Sequence, residues 1–99
     1  MASLLLERMH ADLAFIGCNG IDVAHGVTNI NLPEAEVKRR MIASAVRTVV
    51  VGAGTKIGQA HLIRVADLAD VQTVITGGSA MAGAVAELRR AGADVIQVE

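Results

Sequence analysis

Aromatic side chains are nearly absent: Phe15 is the only one in 99 residues, with no Trp and no Tyr. A core built from this chain must be packed from Val, Ile, Leu, Ala and Met. Material for it is ample, since 53% of the residues are hydrophobic. Cys18 is the only cysteine, so no intrachain disulfide can form, and a reducing cytoplasm is the expected compartment. Neither sign of charge dominates: 9 Lys+Arg stand against 10 Asp+Glu, a formal net charge of −1. That argues against nucleic-acid binding by this piece alone through a strongly basic, phosphate-neutralising face. No apolar run approaches the roughly 20 residues that span a bilayer. The opening Met1–Leu6 is too short for a signal h-region and is interrupted by Glu7 and Arg8.

What is present is an alternation of short apolar runs with glycine loops. Ser3 to His10 reads as a helix, with Leu5, Leu6 and Met9 at helical spacing. Asp12 to Ile16 reads as a buried strand that empties into Gly17-Cys-Asn-Gly20. The segment from Ile21 to Ile30 is irregular or a short hairpin. Pro33 fits the first turn of a helix capped by Asn31, with Val37, Met41 and Ala45 as an apolar stripe. Glu34–Lys38 and Glu36–Arg40 would be i,i+4 pairs on its outer face. Thr48 to Val51 is a second strand, apolar on both faces as parallel strands are. A third runs near Val71 to Thr76, after a poorly patterned stretch from Leu62 to Ala69. Ser79 can cap a helix whose Met81, Val85 and Leu88 face inward and which Gly92 stops, and Asp94 to Val98 is a last strand.

Four strands alternating with helices predict an α/β fold with a parallel sheet, whose ligand edge is the carboxyl end of the strands. The chain reads as one domain over residues 1–99, and as a partial one, because sheets of this type usually carry five or six strands. An exposed sheet edge implies a homo-oligomer.

Two glycine loops fall at strand ends. Gly52-Ala-Gly-Thr-Lys-Ile-Gly58 could be a dinucleotide loop, a plain tight turn, or a mount for Lys56 as an anion-binding side chain. Its spacing is GxGxxxG rather than GxGxxG, and no acid ends the next strand, which favours the Lys56 reading over a nucleotide-binding Rossmann-like unit. In the first loop, Asn19 can donate to and accept from sugar hydroxyls, or Asn19-Gly20 is simply a turn dipeptide. Cys18 reads as a buried inert thiol rather than a nucleophile. Glu34 and Lys38 either line the mouth or are solvated helix charges. His10, His25 and His61 fit no metal spacing, and only His25 falls near the mouth.

Taken in order, Asp12…Phe15-Ile-Gly17, Asn19-Gly-Ile-Asp22, Gly26-Val-Thr28, Glu34-x-x-x-Lys38-Arg39, Val49-Val-Val51, Thr55-Lys56-x-Gly58 and Asp67-Leu-Ala-Asp70 closely resemble the C-terminal effector half of the DeoR-type sugar-metabolism repressors. The resemblance covers nearly the whole chain from Ala11. It implies a Rossmann-like three-layer α/β fold of the ribose-5-phosphate isomerase and CoA-transferase type, truncated on its N-terminal side. It also implies a phosphorylated sugar as effector. Any ligand site is expected where the loops after the first two strands and the helix start meet, at Asn19, Gly20, Thr28, Glu34, Lys38 and Lys56, with no cofactor and no metal. Those repressors reach DNA through a winged helix-turn-helix that nothing here matches. Departures from the family pattern are Ala53-Gly-Thr-Lys56, where Asp-x-Ser-Lys is common, and Thr76-Gly77-Gly78, where an Asp usually follows the third strand. Relative to the related isomerases, Asn19 and Gly20 replace the expected acidic pair, so a sensor is expected rather than a small sugar-phosphate isomerase-like enzyme.

Overall fold

The computed structural model describes residues 11–98. The helix read at Ser3 to His10 lies outside them. Seven strands and two α-helices follow in the order β1 (Ala11–Gly17), β2 (Gly20–Asp22), β3 (Gly26–Asn29), α1 (Leu32–Ser44), β4 (Ala45–Gly52), β5 (Ile63–Ala66), β6 (Thr73–Gly77), α2 (Ala82–Arg90) and β7 (Asp94–Val98). The four expected strands make one sheet, all parallel, in the order β1-β4-β6-β7. Val-, Ile- and Thr-rich runs suit this setting, where β-branched side chains pack on a pleated surface.

A second, three-stranded antiparallel sheet has the order β2-β3-β5. The hairpin read at Ile21 to Ile30 supplies β2 and β3, joined by a turn in which the Asp22 carboxylate accepts from the His25 backbone N–H at 2.7 Å. β5 falls in the stretch that the pattern left unassigned. It is four residues long, and Arg64 points out to pair with Asp67 at 2.9 Å while Val65 and Ala66 are buried.

α1 begins as expected: Asn31 Oδ1 accepts from the Glu34 N–H at 3.0 Å, and Pro33 occupies the first turn. Its buried face differs from the expected stripe. Ala35 is fully buried, Ile42 packs on the core, Val37 and Met41 are half-buried, and Ala45 already belongs to β4. The outer-face pairs differ too. Glu36 bonds Arg39 at 2.6 Å, one turn position short of the expected Arg40, and both side chains are exposed. α2 buries Val85 and Leu88, but Met81 is 72% exposed. The helix starts one residue after Met81, whose extended backbone turns its side chain outward, and Ser79 makes no cap bond. Gly92, at φ +105, ends the helix.

Both helices and the small sheet pack on the same face of the parallel sheet. Ala35, Ile21, Val27, Val85 and Leu88 join Val50, Val74 and Val95 in a single core. The topology requires this. Strands added in chain order along one direction, with right-handed crossovers, leave every connection on one side. Among the described residues no helix lies on the other face, where the sequence led us to expect a covering layer.

Candidate functional site

The loops after β1, β4 and β6 meet at the carboxyl edge of the parallel sheet. Gly54 shows how tightly: a Cβ there would stand 2.3 Å from Ser79 Oγ and 2.5 Å from the Ala80 nitrogen, so only glycine lets the two turns touch. Gly20 is similar, since a Cβ would meet the Gln59 carbonyl oxygen at 2.6 Å. The segment from Gly54 to Lys56 is a single 3₁₀ turn, and no α-helix follows before β5. A dinucleotide loop relies on a helix N-terminus to hold the pyrophosphate, so this arrangement lacks that device.

Asn19 is fixed at both ends. Its Oδ1 accepts from the Ile30 N–H at 3.0 Å, and its backbone N–H donates to the Thr28 carbonyl at 3.2 Å. The Thr28 hydroxyl, 1% exposed, donates to the Gly20 carbonyl at 3.3 Å and accepts from the His61 N–H at 2.9 Å. His61 Nε2 lies 3.1 Å from the Asn19 carbonyl oxygen. Gly20 and Thr28 are therefore built into the loop's frame, and Asn19 stands at its rim, half-buried.

Glu34 and Lys38, one turn apart on α1, do not pair with each other. Both reach the amide of Asn29: Lys38 Nζ donates to Oδ1 at 3.1 Å, and Nδ2 donates to Glu34 Oε2 at 3.4 Å. Asn29 is fully buried on β3, next to Thr28. The sequence pattern places Asn29 only within the irregular or hairpin segment Ile21–Ile30 and gives His61 no role. The one available signal was the polar pair Thr28–Asn29 set between Val27 and Ile30.

Cys18 joins this group to Lys56. A Cβ at Gly52 would lie 3.1 Å from Cys18 Sγ and 3.7 Å from Lys56 Cβ, so the bare backbone of Gly52 forms the floor between them. Burial pushes the Cys18 thiol up, while the charges of Lys38 and Lys56 both pull it down. Both ammonium groups thus act on one partly buried thiol from different elements. Neither forms an ion pair with a carboxylate among the described residues. The thiol is neutral at physiological pH and a poor nucleophile. Beside it, Thr76, paired with Gly52, carries the one buried side-chain polar atom without a partner among the described residues.

The six residues singled out in the sequence therefore lie along one edge in two connected groups. Asn19, Gly20 and Thr28 share one hydrogen-bond network, while Glu34 and Lys38 attach through Asn29, and Lys56 approaches across Cys18. His25 sits apart, in the β2–β3 turn, with Nδ1 at 3.1 Å from Asp22 Oδ2. A shallow groove of about 430 Å³ runs along Pro33, Glu34, Val37, Lys38 and Met41. A larger one, about 670 Å³, lies between the β2–β3 turn and the start of α2; it carries Asp22 and Glu87 and no cation, which does not suit an anion. Among the described residues no cluster of His, Cys, Asp and Glu could hold a metal ion, and no helix is long and apolar enough to cross a membrane.

A parallel α/β sheet with polar loops at its carboxyl edge, and lysines there without an ion pair among the described residues, is the layout of a small-molecule-binding domain. The family model described as the DeoR C terminal sensor domain matches residues 1–78, and the chain belongs to that family. Among curated proteins it is 34% identical over 95 residues to the HTH-type transcriptional regulator GlpR of Haloferax volcanii, covering 96% of this chain and 37% of the relative. It is 33% identical over 93 residues to the putative aga operon transcriptional repressor of Escherichia coli O157:H7, covering 94% and 35%. The L-fucose operon activator of Haemophilus influenzae matches at 28% over 79 residues, covering 80% and 32%. The chain thus spans about a third of the length of these curated relatives.

Proposed function

We propose that this chain is the effector-sensing part of a DeoR-type transcriptional regulator of sugar metabolism, and that its effector is a phosphorylated sugar. The observation that carries the ligand class is that Cys18 and Lys56 flank Gly52, that Lys38 and Lys56 both pull on the Cys18 thiol, and that neither lysine forms an ion pair among the described residues, although Glu34 shares Asn29 with Lys38. Two cations so placed favour a divalent anion, and partial burial strengthens the attraction relative to open solvent. In this reading Lys56 and Lys38 hold the phosphate, and Asn19 and Glu34 take the sugar hydroxyls. Gly20 and Thr28 shape the loop from beneath. Two of the relatives are named for operons, one of them that of L-fucose, which supports the sugar class. The fold in this reading is Rossmann-like, of the ribose-5-phosphate isomerase type. DNA would be reached through a helix-turn-helix domain outside this chain, in a cytoplasmic regulator.

The same edge supports sensing over catalysis. Proton abstraction beside a carbonyl needs a poised base. Glu34 is the only carboxylate among the six residues, and its Oε2 is engaged by the Asn29 amide. Isothermal titration of phosphorylated and unphosphorylated forms of the same sugars tests the reading. Binding should require the phosphate, and Lys56→Ala should weaken it about tenfold or more, the worth of one charge-assisted contact. Equal binding by wild type and Lys56→Ala would remove Lys56 from the site, and equal binding of both sugar forms would remove the phosphate.

A further inference from the structure

Glu34 and Lys38 stand four residues apart on α1 with the glutamate first, the order that favours a direct ion pair on a helix. Among the ion pairs of the described residues there is none between them. The amide of Asn29 lies between them instead. Its oxygen accepts from Lys38 Nζ at 3.1 Å, and its nitrogen donates to Glu34 Oε2 at 3.4 Å. Asn29 is fully buried on β3, so its amide must find its partners inside the protein. Taking this edge as the phosphate site proposed for the effector, on which the point rests, we infer that Asn29 is a positioning residue. Its amide holds Glu34 and Lys38 apart, so that neither charge neutralises the other and Lys38 stays open to an anion.

A neutral amide carries a donor and an acceptor, so it can bond one atom of each charged group without cancelling either charge. Lys38 gives Asn29 one of its three N–H donors, and Glu34 gives it one of two carboxylate oxygens. Both side chains also line the groove along Pro33, Val37 and Met41, where a ligand can reach them. So held, Lys38 acts on the same Cys18 thiol as Lys56. The spacer is itself fixed. Asn29 pairs with Ile63 of β5, and its neighbour Thr28 is bonded to Gly20 and His61. The separation of the charges is therefore set by the small sheet rather than by two flexible side chains, which is preorganisation. Without Asn29 the two side chains meet, and an anion must break that pair before it can use Lys38. The same spacing keeps the Glu34 carboxylate off the phosphate, which it would repel at contact distance.

The test is titration with inorganic phosphate at constant ionic strength, followed by NMR at the Lys38 and Lys56 backbone amides. Wild type should saturate. Asn29→Leu nearly keeps the side-chain volume and should bind phosphate about tenfold more weakly, the loss expected for one charge-assisted contact. Its crystal structure should show Lys38 Nζ within about 4 Å of a Glu34 carboxylate oxygen. Adding Glu34→Gln to Asn29→Leu should recover about tenfold, whereas the same change in the wild type should gain at most about twofold. A merely structural Asn29 predicts the same effect of Glu34→Gln in both backgrounds. That result overturns the inference and leaves the phosphate reading standing. So does unchanged phosphate binding in Asn29→Leu, or a structure of it with the two charges still apart. If Asn29→Leu fails to fold by circular dichroism, Asn29→Asp decides. Its carboxylate takes Lys38 directly, so affinity should fall about tenfold and Glu34→Gln should not restore it; the opposite of either result overturns the inference. A wild type that binds no phosphate overturns the phosphate reading, and the inference with it.

Discussion

Asn29 illustrates how a buried amide organises charge. Its oxygen faces the Lys38 ammonium and its nitrogen faces the Glu34 carboxylate, so the two charges fix which way the amide points. Cys18 is the titratable counterpart. Its thiol is held above the ordinary value of 9.0 because burial outweighs the pull of the two lysines. The folded state therefore keeps its proton where the unfolded chain has lost it. Stability from this group is intact below about pH 9 and declines as pH rises from there through the folded value. Chemical denaturation of wild type and Cys18→Ala across pH 7–11 should show the alkaline decline reduced in the variant. Parallel curves for the two proteins would remove Cys18 as its source. At this scale Asn19 and Lys56 were legible because they follow strand-ending glycine loops. Asn29 and His61 were not, because their roles exist only once β3 has paired with β5 and α1 has docked beside them.

α1 is the element whose start the sequence specified best, since Asn31 and Pro33 act locally and need no tertiary partner. The Asn31 cap bond at 3.0 Å should be worth about 1 kcal/mol. Asn31→Ala is expected to lower Tm by about 4–8 °C in thermal unfolding, and Asn31→Asp to retain most of the stability. An unchanged Tm in Asn31→Ala would mean the cap contributes nothing. The strands β1, β4, β6 and β7 were legible from β-branched runs bounded by glycine, though β4 extends three residues earlier than its apolar core. The small sheet was only half legible. β2 and β3 left a hairpin signal, but β5 is short and carries Arg64 outward, so no alternation marked it. Met81 was misplaced because helical spacing does not say where a helix begins, and α2 begins just after it.

For the whole molecule, strand order decides what is covered and what is left open. Sequential addition of β1, β4, β6 and β7 gathers both helices and the small sheet on one face. On the opposite face Leu13, Phe15, Ile96 and Val98 are exposed while Val49 is buried, a difference the hydrophobic pattern could not reveal, because parallel strands read as apolar on both faces. The same strand order brings the loops after β1, β4 and β6 to one edge, where we propose that Asn19, Lys38 and Lys56 serve one site. The most direct test of that edge as the effector site is amide chemical-shift mapping by NMR during titration with phosphorylated sugars. The largest shifts are expected at Cys18–Gly20, Ile30–Lys38 and Gly52–Gly58, and are expected to shrink when the sugar lacks its phosphate. Shifts centred instead on the groove between Asp22 and Glu87, or none at saturating sugar phosphate, would contradict the account.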